Sequence, residues 1–272
     1  MGCQVGCYIP SIDLGQFGWS LFNNAKGISL RYSDATGRLK LKSMLKQHEC
    51  QTANQIVVPH LFIYSGCSPN KYQPNSPYET NLNSVLTSIS TSSSQSSYNS
   101  FGVGNGTSTP PPDSAAYGLY QCRGDLKITD CSACIQSGLS QIGLVCPDSY
   151  GARIQLDGCL IRYENSNFLG KLDTTLVFKK CSQSTSNDVE FYRRRDDVLA
   201  DLQGAASFRV SSSGLVEGFA QCLGDLSQAD CTSCLADAVG KLKYVCGSAA
   251  AVDVYLAQCY ARYWAAGYYE SG

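Results

Sequence analysis

The chain has 272 residues, which is enough for one large domain or for two domains of about 100 to 150 residues. A formal net charge of −1, with 16% charged residues, excludes the basic surface that attracts nucleic acid. Fifteen cysteines beside two histidines favour disulfide bonds, because zinc sites usually mix cysteine with histidine or use two C-x2-C pairs. Zinc binding or thioredoxin-like redox chemistry is the alternative for the isolated C-x2-C pairs.

Residues 1–58 differ from the rest of the chain. They contain no apolar core of about 7 to 15 residues, which a secretory signal needs, and Gly6 stands where myristoylation requires Ser or Thr. No run of about 18 apolar residues long enough to span a membrane occurs in the sequence. Since disulfide-rich proteins are normally secreted, we expect an atypical extension that is not the natural mature N-terminus and is not ordered. The alternative is an unfamiliar domain around Cys3, Cys7 and Cys50.

The remaining residues form a tandem duplication. The stretch "CRGDLKITDCSACI" returns 100 residues later as "CLGDLSQADCTSCL", and five cysteines keep the same spacing in both copies. One further cysteine opens each unit, so we expect a first unit at 59–180 and a second at 181–272. The cysteines are Cys67, Cys122, Cys131, Cys134, Cys146 and Cys159 in the first unit, and Cys181, Cys222, Cys231, Cys234, Cys246 and Cys259 in the second.

The first unit alternates helical and extended patterns. "SPYETNLNSVLTSIS" has apolar residues at helical spacing, with Ser76 as N-cap and Pro77 at the first position. A Ser-, Gly- and Pro-rich tract at 90–114 predicts an exposed connection that contains a glycosylation sequon at Asn105. "YGLYQCRGD" predicts a short strand. "DCSACIQSGLSQIGLVC" predicts a helix capped by Asp130, with Val145 on its apolar face.

The end of the first unit and all of the second continue this pattern. "ARIQLDGCLIRYE" predicts one long strand, and "TTLVFKKC" predicts another. In the second unit "DDVLADLQGAA" and "DCTSCLADAVGKLKYVC" predict helices, and "VDVYLAQCYARYW" predicts the long strand. Two helices cannot bury their apolar faces on each other alone, so we expect them to cover one face of an antiparallel sheet, which is an α+β fold.

Six cysteines allow 15 disulfide pairings, and geometry removes some of them in the first unit. Cys131 and Cys134 lie one turn apart at the start of the same predicted helix, where a bond would constrain little. A core-facing Cys134 points to a partner in the sheet, and Cys159 lies in the middle of a strand. The pairing that follows is Cys134 with Cys159, Cys122 with Cys131, and Cys67 with Cys146.

The frame C-x8-C-x2-C, followed by one cysteine 12 residues later and another 25 residues later, resembles the ginkbilobin-like, cysteine-rich secretory domain of land plants. The resemblance covers residues 60–268. Two such units resemble the plasmodesmata-located proteins and the cysteine-rich repeat secretory proteins. The resemblance implies that each unit has two helices packed on a five-stranded antiparallel sheet with three disulfides. It also implies the pairs Cys181 with Cys246, Cys222 with Cys231, and Cys234 with Cys259.

No residue pattern in the chain predicts catalysis, so we expect neither an enzyme nor a bound cofactor or metal. The two histidines, His48 and His60, precede both repeated motifs, which leaves a Ser-His-Asp or Cys-His arrangement without its base. Asp196 and Asp197 open a predicted helix, where the helix dipole explains them. The triplet Arg123-Gly124-Asp125 invites an integrin interpretation, but the second copy shares only Gly-Asp.

A sugar site is implied by the resemblance. Single-domain relatives bind mannose through an asparagine, an arginine and a glutamate, whose places are taken here by Ser68, Arg153 and Glu164. The lost asparagine weakens this hypothesis, and a structural pair of Arg153 with Glu164 is the alternative. The second unit departs from the pattern at all three places, with Ser182, Asp253 and Trp264.

The resemblance implies a non-enzymatic, extracellular binding protein at plasmodesmata that regulates cell-to-cell traffic and callose. We expect it in the apoplast or at the plasma membrane, with a membrane anchor only outside this sequence. The expected partner is a cell-wall carbohydrate or another extracellular or receptor protein, and the protein could associate with itself or with relatives. The alternatives are a secreted mannose-binding antifungal lectin and the truncated ectodomain of a cysteine-rich receptor-like kinase.

Overall fold

The computed structural model describes residues 60–104, 114–266 and 268 in full, together with the backbone of three N-terminal strands. These strands, β1 (Ser20–Asn24), β2 (Gly27–Ser33) and β3 (Leu39–Lys42), form an antiparallel sheet in chain order. The segment Met1–Asn54 is a unit separate from the rest. The expectation that 1–58 is an unordered extension, and the positions of Cys3, Cys7, Cys50 and Asn105, otherwise lie outside the described residues.

Two domains with the same order of elements follow, which confirms the predicted α+β class. The elements of the first are β4 (Phe62–Cys67), α1 (Pro77–Ser92), β5 (Tyr98–Val103), β6 (Ala116–Cys122), α2 (Ile128–Val145), β7 (Gly151–Leu156) and β8 (Cys159–Glu164). The elements of the second are β9 (Leu176–Cys181), α3 (Val189–Gln203), β10 (Phe208–Ser213), β11 (Val216–Cys222), α4 (Gln228–Tyr244), β12 (Ala251–Leu256) and β13 (Cys259–Ala265). The antiparallel sheets run β4-β7-β8-β6-β5 and β10-β11-β13-β12-β9.

Three sequence interpretations of the strands need correction. "ARIQLDGCLIRYE" is a hairpin of β7 and β8 joined at Asp157-Gly158, a favoured hairpin turn, and the second copy is likewise β12 and β13. The tract at 90–114 contributes β5, because the edge strand of a sheet can be built from serine and glycine when it pairs with β6. β9 pairs with β12, so the predicted boundary between 180 and 181 falls inside the first strand of the second sheet.

The helix starts follow their capping residues. Ser76 caps α1, where its Oγ accepts a hydrogen bond from the Glu79 amide at 3.3 Å, as predicted. The predicted Asp130 cap of α2 is wrong, because the helix begins two residues earlier, behind Lys127, and no side chain caps it. In α4 the equivalent position is Ser227, which does accept a hydrogen bond from the Asp230 amide. Val145 is also not on the buried face of α2, since it is 42% exposed.

Each core lies between the two helices and one face of the sheet. Equivalent glycines let one helix approach the sheet closely. A Cβ atom at Gly118 would lie 2.5 Å from Val85 Cγ1 of α1, and one at Gly218 would lie 2.5 Å from the Arg262 carbonyl oxygen and 3.0 Å from Val198 Cγ1 of α3. None of the described helices has the length and hydropathy of a membrane-spanning segment.

Six disulfides hold the two domains, and their pairing confirms the prediction for both units. The bonds are Cys67–Cys146, Cys122–Cys131 and Cys134–Cys159, and in the second domain Cys181–Cys246, Cys222–Cys231 and Cys234–Cys259. The helix that carries the C-x2-C pair is thereby bonded to two strands in each domain. These are β6 and β8 for α2, and β11 and β13 for α4. In each domain a third bond links the end of that helix to the edge strand, β4 or β9.

Two glycine substitutions test this packing in opposite directions. We expect Gly218→Ala to lower the free energy of unfolding by about 2 kcal/mol, because the new methyl group meets a backbone oxygen that cannot move aside. Gly240→Ala, in α4 with open space around it, should instead raise that free energy by about 0.5 to 1 kcal/mol. Denaturant unfolding of the oxidised protein measures both, and equal effects of the two variants would contradict the packing described.

Candidate functional site

The outer faces of the two sheets, those turned away from the helices, pack against each other. We call this contact the seam. Leu119, Leu160 and Phe168 of the first domain and its connection cluster with Leu223 of the second. Tyr64 of β4 stacks on Phe178 of β9, with ring centroids 5.2 Å apart and planes 12° from parallel. Because these two residues pair with equivalent partners in their own sheets, the seam has approximate two-fold symmetry.

The two repeated Gly-Asp turns make equivalent contacts across the seam. Gly124 lies so close to Phe208 that a Cβ atom at Gly124 would be 2.4 Å from the Phe208 Cβ. In the same way, a Cβ atom at Gly224 would be 2.8 Å from the ring of Tyr98. Each turn therefore receives an aromatic side chain from the first strand after the first helix of the other domain, and only glycine leaves room for it.

Two glutamines at equivalent positions extend the contact with hydrogen bonds. Gln221 Nε2 donates to the Cys122 carbonyl oxygen at 3.0 Å, and Gln121 Oε1 accepts from the Gly224 amide at 3.0 Å. Both bonds cross between the domains. They link backbone groups at the end of β6 and in the turn after β11 to glutamine side chains of the other domain.

A chain of charges crosses the centre of the seam. The Asp157 carboxylate accepts from Arg123 Nη1 at 2.7 Å and from Arg262 Nη1 of the other domain at 2.7 Å. Arg262 also binds Asp253 at 2.7 Å, and Arg123 binds Asp125 at 2.7 Å. Burial opposes the charge of Arg123, but the hydrogen bond to Asp125 and the charge of Asp157 raise the pKa of its guanidinium.

The arginine of the Arg-Gly-Asp triplet is committed to the seam. Arg123 is 5% exposed, and its guanidinium lies 5.2 Å from the centre of the Phe219 ring, a cation–π distance. Arg262 approaches the same ring at 5.1 Å. The arginine of the triplet is therefore held between the two domains and is not exposed for adhesion.

The three predicted sugar-binding residues are only partly brought together. Ser68 and Glu164 flank Gly151, since a Cβ atom there would be 3.6 Å from Ser68 Cβ and 3.3 Å from Glu164 Cγ. Arg153 is 8% exposed, and its Nη2 donates to the Ala257 carbonyl oxygen of the second domain at 2.8 Å. The suggested pairing of Arg153 with Glu164 is wrong, because Glu164 accepts from Arg162 Nε at 2.8 Å.

Arg153 is buried at the seam, and its surroundings disfavour a charged side chain. Desolvation lowers the pKa of its guanidinium, and the adjacent charge of Arg162, directly opposite on β8, lowers it further. The side chain is held by a backbone carbonyl of the second domain and does not face solvent.

A pocket at the seam, lined in part by Tyr64, Gln155 and Gln258, has a volume of about 20 Å³, which is room for a water molecule and not for a hexose.

The described residues contain no cluster of three or more His, Cys, Asp or Glu side chains that could hold a metal ion. All twelve cysteines of the two repeats are in disulfide bonds, which leaves the C-x2-C pairs no free thiolate for zinc binding or redox chemistry.

The contact between the two sheets was not predicted from the sequence. The available signal was that Arg123, Arg153 and Asp157 lie in one copy of the repeat and are replaced in the other.

Comparison with known proteins gives consistent matches. A family model described as "Salt stress response/antifungal" matches residues 66–166 and 180–266. Plasmodesmata-located protein 8 of Arabidopsis thaliana is 61% identical over 213 residues, which is 78% of this chain and 76% of that protein. The antimicrobial ginkbilobin-2-like protein of Castanea crenata is 32% identical over 213 residues, 74% of this chain and 86% of that protein.

Solved structures agree with these matches. The crystal structure of the tandem DUF26 ectodomain of the Arabidopsis thaliana cysteine-rich receptor-like protein PDLP8 has a TM-score of 0.73 and 60% sequence identity. The corresponding ectodomain of PDLP5 has a TM-score of 0.70 and 47% identity. Each comparison covers 76% of this chain and 100% of the solved one.

Breaking the seam at its centre should be costly. We expect Asp157→Ala to lower the free energy of unfolding by about 3 kcal/mol, because it removes the carboxylate shared by two buried arginines. The matched control is Asp201→Ala, whose partner Arg209 is well exposed, and it should cost less than about 1 kcal/mol. Denaturant unfolding measures both, and a similar small loss in each variant would contradict the central role of Asp157.

Proposed function

The chain belongs to the salt stress response/antifungal family, as an extracellular, disulfide-rich protein with two tandem domains, and on this basis we propose that it works at plasmodesmata. There it binds another extracellular or receptor protein and regulates cell-to-cell traffic and callose. The proposal is supported by the similarity to plasmodesmata-located proteins 8 and 5 along three quarters of the chain, 78% and 74%.

One structural observation favours protein binding over sugar binding. Arg153 takes the place of the arginine through which the single-domain relatives bind mannose, and its side chain is buried at the seam against the Ala257 carbonyl. The residue that would hold a sugar therefore holds the second domain.

A mannose-specific lectin is the second candidate. Ser68 and Glu164 still flank Gly151 at the end of the first sheet, and Glu164 carries a carboxylate that can accept hydrogen bonds from sugar hydroxyls. However, Glu164 is engaged by Arg162, and the asparagine of the mannose-binding relatives is replaced by Ser68. We therefore place this function second.

We also propose that the protein is not an enzyme. The single histidine within the described residues, His60, is exposed just before β4. Charged groups gathered at the seam are paired with each other across the two domains. A catalytic base needs both an accessible site and a free proton-accepting atom, and the seam provides neither for a substrate.

Localisation in plant tissue tests the leading proposal. A fluorescent fusion of the protein, secreted in leaf epidermis, should collect in wall puncta that coincide with callose staining, and it should reduce the spread of a free fluorescent protein between cells. The control is a single-domain ginkbilobin-like protein secreted by the same route, which should fill the wall evenly. An even distribution of both proteins would contradict the proposal.

Sugar titration tests the second candidate independently. Because Arg153 is committed to the second domain, we expect calorimetry with mannose and mannan oligomers to show no saturable binding at millimolar sugar. Saturable binding that is lost in Glu164→Gln would establish the lectin function instead. The Asp201→Ala variant, far from these residues in the chain, serves as the control for any general effect of substitution.

A further inference from the structure

Strand β4 has an open edge. It pairs with β7 on one side, and no other strand in the described part of the chain pairs with its outer side. The Ser68 amide donates to the carbonyl oxygen of Gly151, the first residue of β7, and hydrogen bonding alternates along an antiparallel pair. Tyr64 and Gly66 therefore direct their backbone groups to β7, while Ser65 and Cys67 direct theirs to the open side.

The equivalent strand of the second domain is protected, and β4 is not. β9 carries exposed Lys179 and Lys180, and lysines at an edge discourage pairing with another strand. β4, with the sequence "FIYSGC", has neither a charge nor a proline. A bulge at Ile63 interrupts its register only at the start, so Tyr64–Cys67 remains regular.

The other two open edges are protected in different ways. In β10, Arg209 lies on the edge and pairs with Asp201. In β5, the Ser100 amide, which faces outward by the same alternation, is already bonded to Asn99 Oδ1 at 2.9 Å. β5 also has no charged side chain, but its outward Ser100 amide is already engaged, whereas no hydrogen bond engages the outward Ser65 and Cys67 amides of β4 among the described residues.

Apolar side chains flank the open edge of β4. Phe62 is 46% exposed and Leu144, at the end of α2, is 82% exposed. Cys67 Sγ lies 3.4 Å from the Val145 carbonyl oxygen, which places the end of α2 beside the strand. At Gly66 no atom lies within 4 Å of the position that a Cβ would take, so the sheet face beside the edge is open there.

We propose that β4 pairs antiparallel with β4 of a second copy of this chain, about a two-fold axis at Gly66. Ser65 then exchanges two backbone hydrogen bonds with Cys67 of the partner subunit, and the symmetry repeats the exchange. The two five-stranded sheets join into one continuous sheet. This interface borders the seam, because Tyr64 of β4 stacks on Phe178 of the second domain, and it does not depend on the proposed role at plasmodesmata.

Charge decides in favour of a second copy. In the pairing about Gly66, two glycines face each other as a non-hydrogen-bonded pair, in which the Cα atoms lie about 4.5 Å apart. The same pairing between two β9 strands would place Lys180 directly opposite Lys180 of the partner subunit, and like charges in that position are destabilising. The chain therefore allows self-pairing at β4 and opposes it at β9.

Proline substitutions test the proposal. Ser65→Pro removes an N–H group that the domain itself does not use, so the fold should tolerate it. Light scattering and sedimentation across a micromolar concentration series should show the unmodified protein rising from 29.3 kDa towards twice that mass. We expect Ser65→Pro to weaken this association at least about ten-fold, through two lost hydrogen bonds at the symmetric interface. The matched control, Lys179→Pro in β9, should associate as the unmodified protein does.

Two outcomes would overturn the proposal. One is a monomeric mass at every concentration, which would leave the β4 edge to a strand of another protein. The other is unchanged association in Ser65→Pro, with circular dichroism that matches the unmodified protein. If Ser65→Pro does not fold, Ser65→Lys replaces it, since the Ser65 side chain is exposed and a lysine there reproduces the protection of β9. Unchanged association in Ser65→Lys would overturn the proposal equally.

Discussion

The Asp157 carboxylate, held between Arg123 of its own domain and Arg262 of the other, is the interaction on which the arrangement of the two domains depends. A carboxylate in a buried contact is costly unless positive groups and hydrogen bonds compensate it. Here the compensation comes from both domains at once, so neither domain alone offers the same environment. The hairpin turn that carries Asp157 is therefore a joint between domains as well as a connection between β7 and β8.

Duplication followed by complementary divergence explains why the two copies fit each other. Arg123 lies over Phe219, whereas its equivalent Leu223 packs with Leu119, the equivalent of Phe219. A charged side chain thus meets an aromatic ring at one of these two equivalent positions, and an apolar side chain meets an apolar one at the other. Two identical copies would repeat the same pair of side chains in both positions. The substitutions make the contact specific for the unlike pair.

The covalent frame and the α+β fold could be predicted from the sequence, because cysteine spacing and helical periodicity are local signals. The seam could not. In "ARIQLD" the polar positions of Arg153 and Gln155 alternate with apolar ones, which is typical of a strand with one face in solvent. Both side chains are buried, and Arg153 donates to the Ala257 carbonyl oxygen of the second domain; nothing within one repeat indicates that. The serine-rich β5 escaped for a related reason, since its extended form comes from pairing with β6 and not from its own propensity.

The disulfides of the first domain hold the backbone that forms the seam. Cys122 directly precedes Arg123, and its carbonyl oxygen accepts the hydrogen bond of Gln221 from the other domain. Cys159 follows the Asp157-Gly158 turn and is bonded to Cys134 of α2. The bonds Cys122–Cys131 and Cys134–Cys159 therefore also fix the backbone beside Arg123 and Asp157, so these two residues meet Arg262 with little further loss of entropy. The repeated cysteine motif supplies rigidity at the place where the two domains contact each other, which gives a structural reason for its presence in both copies.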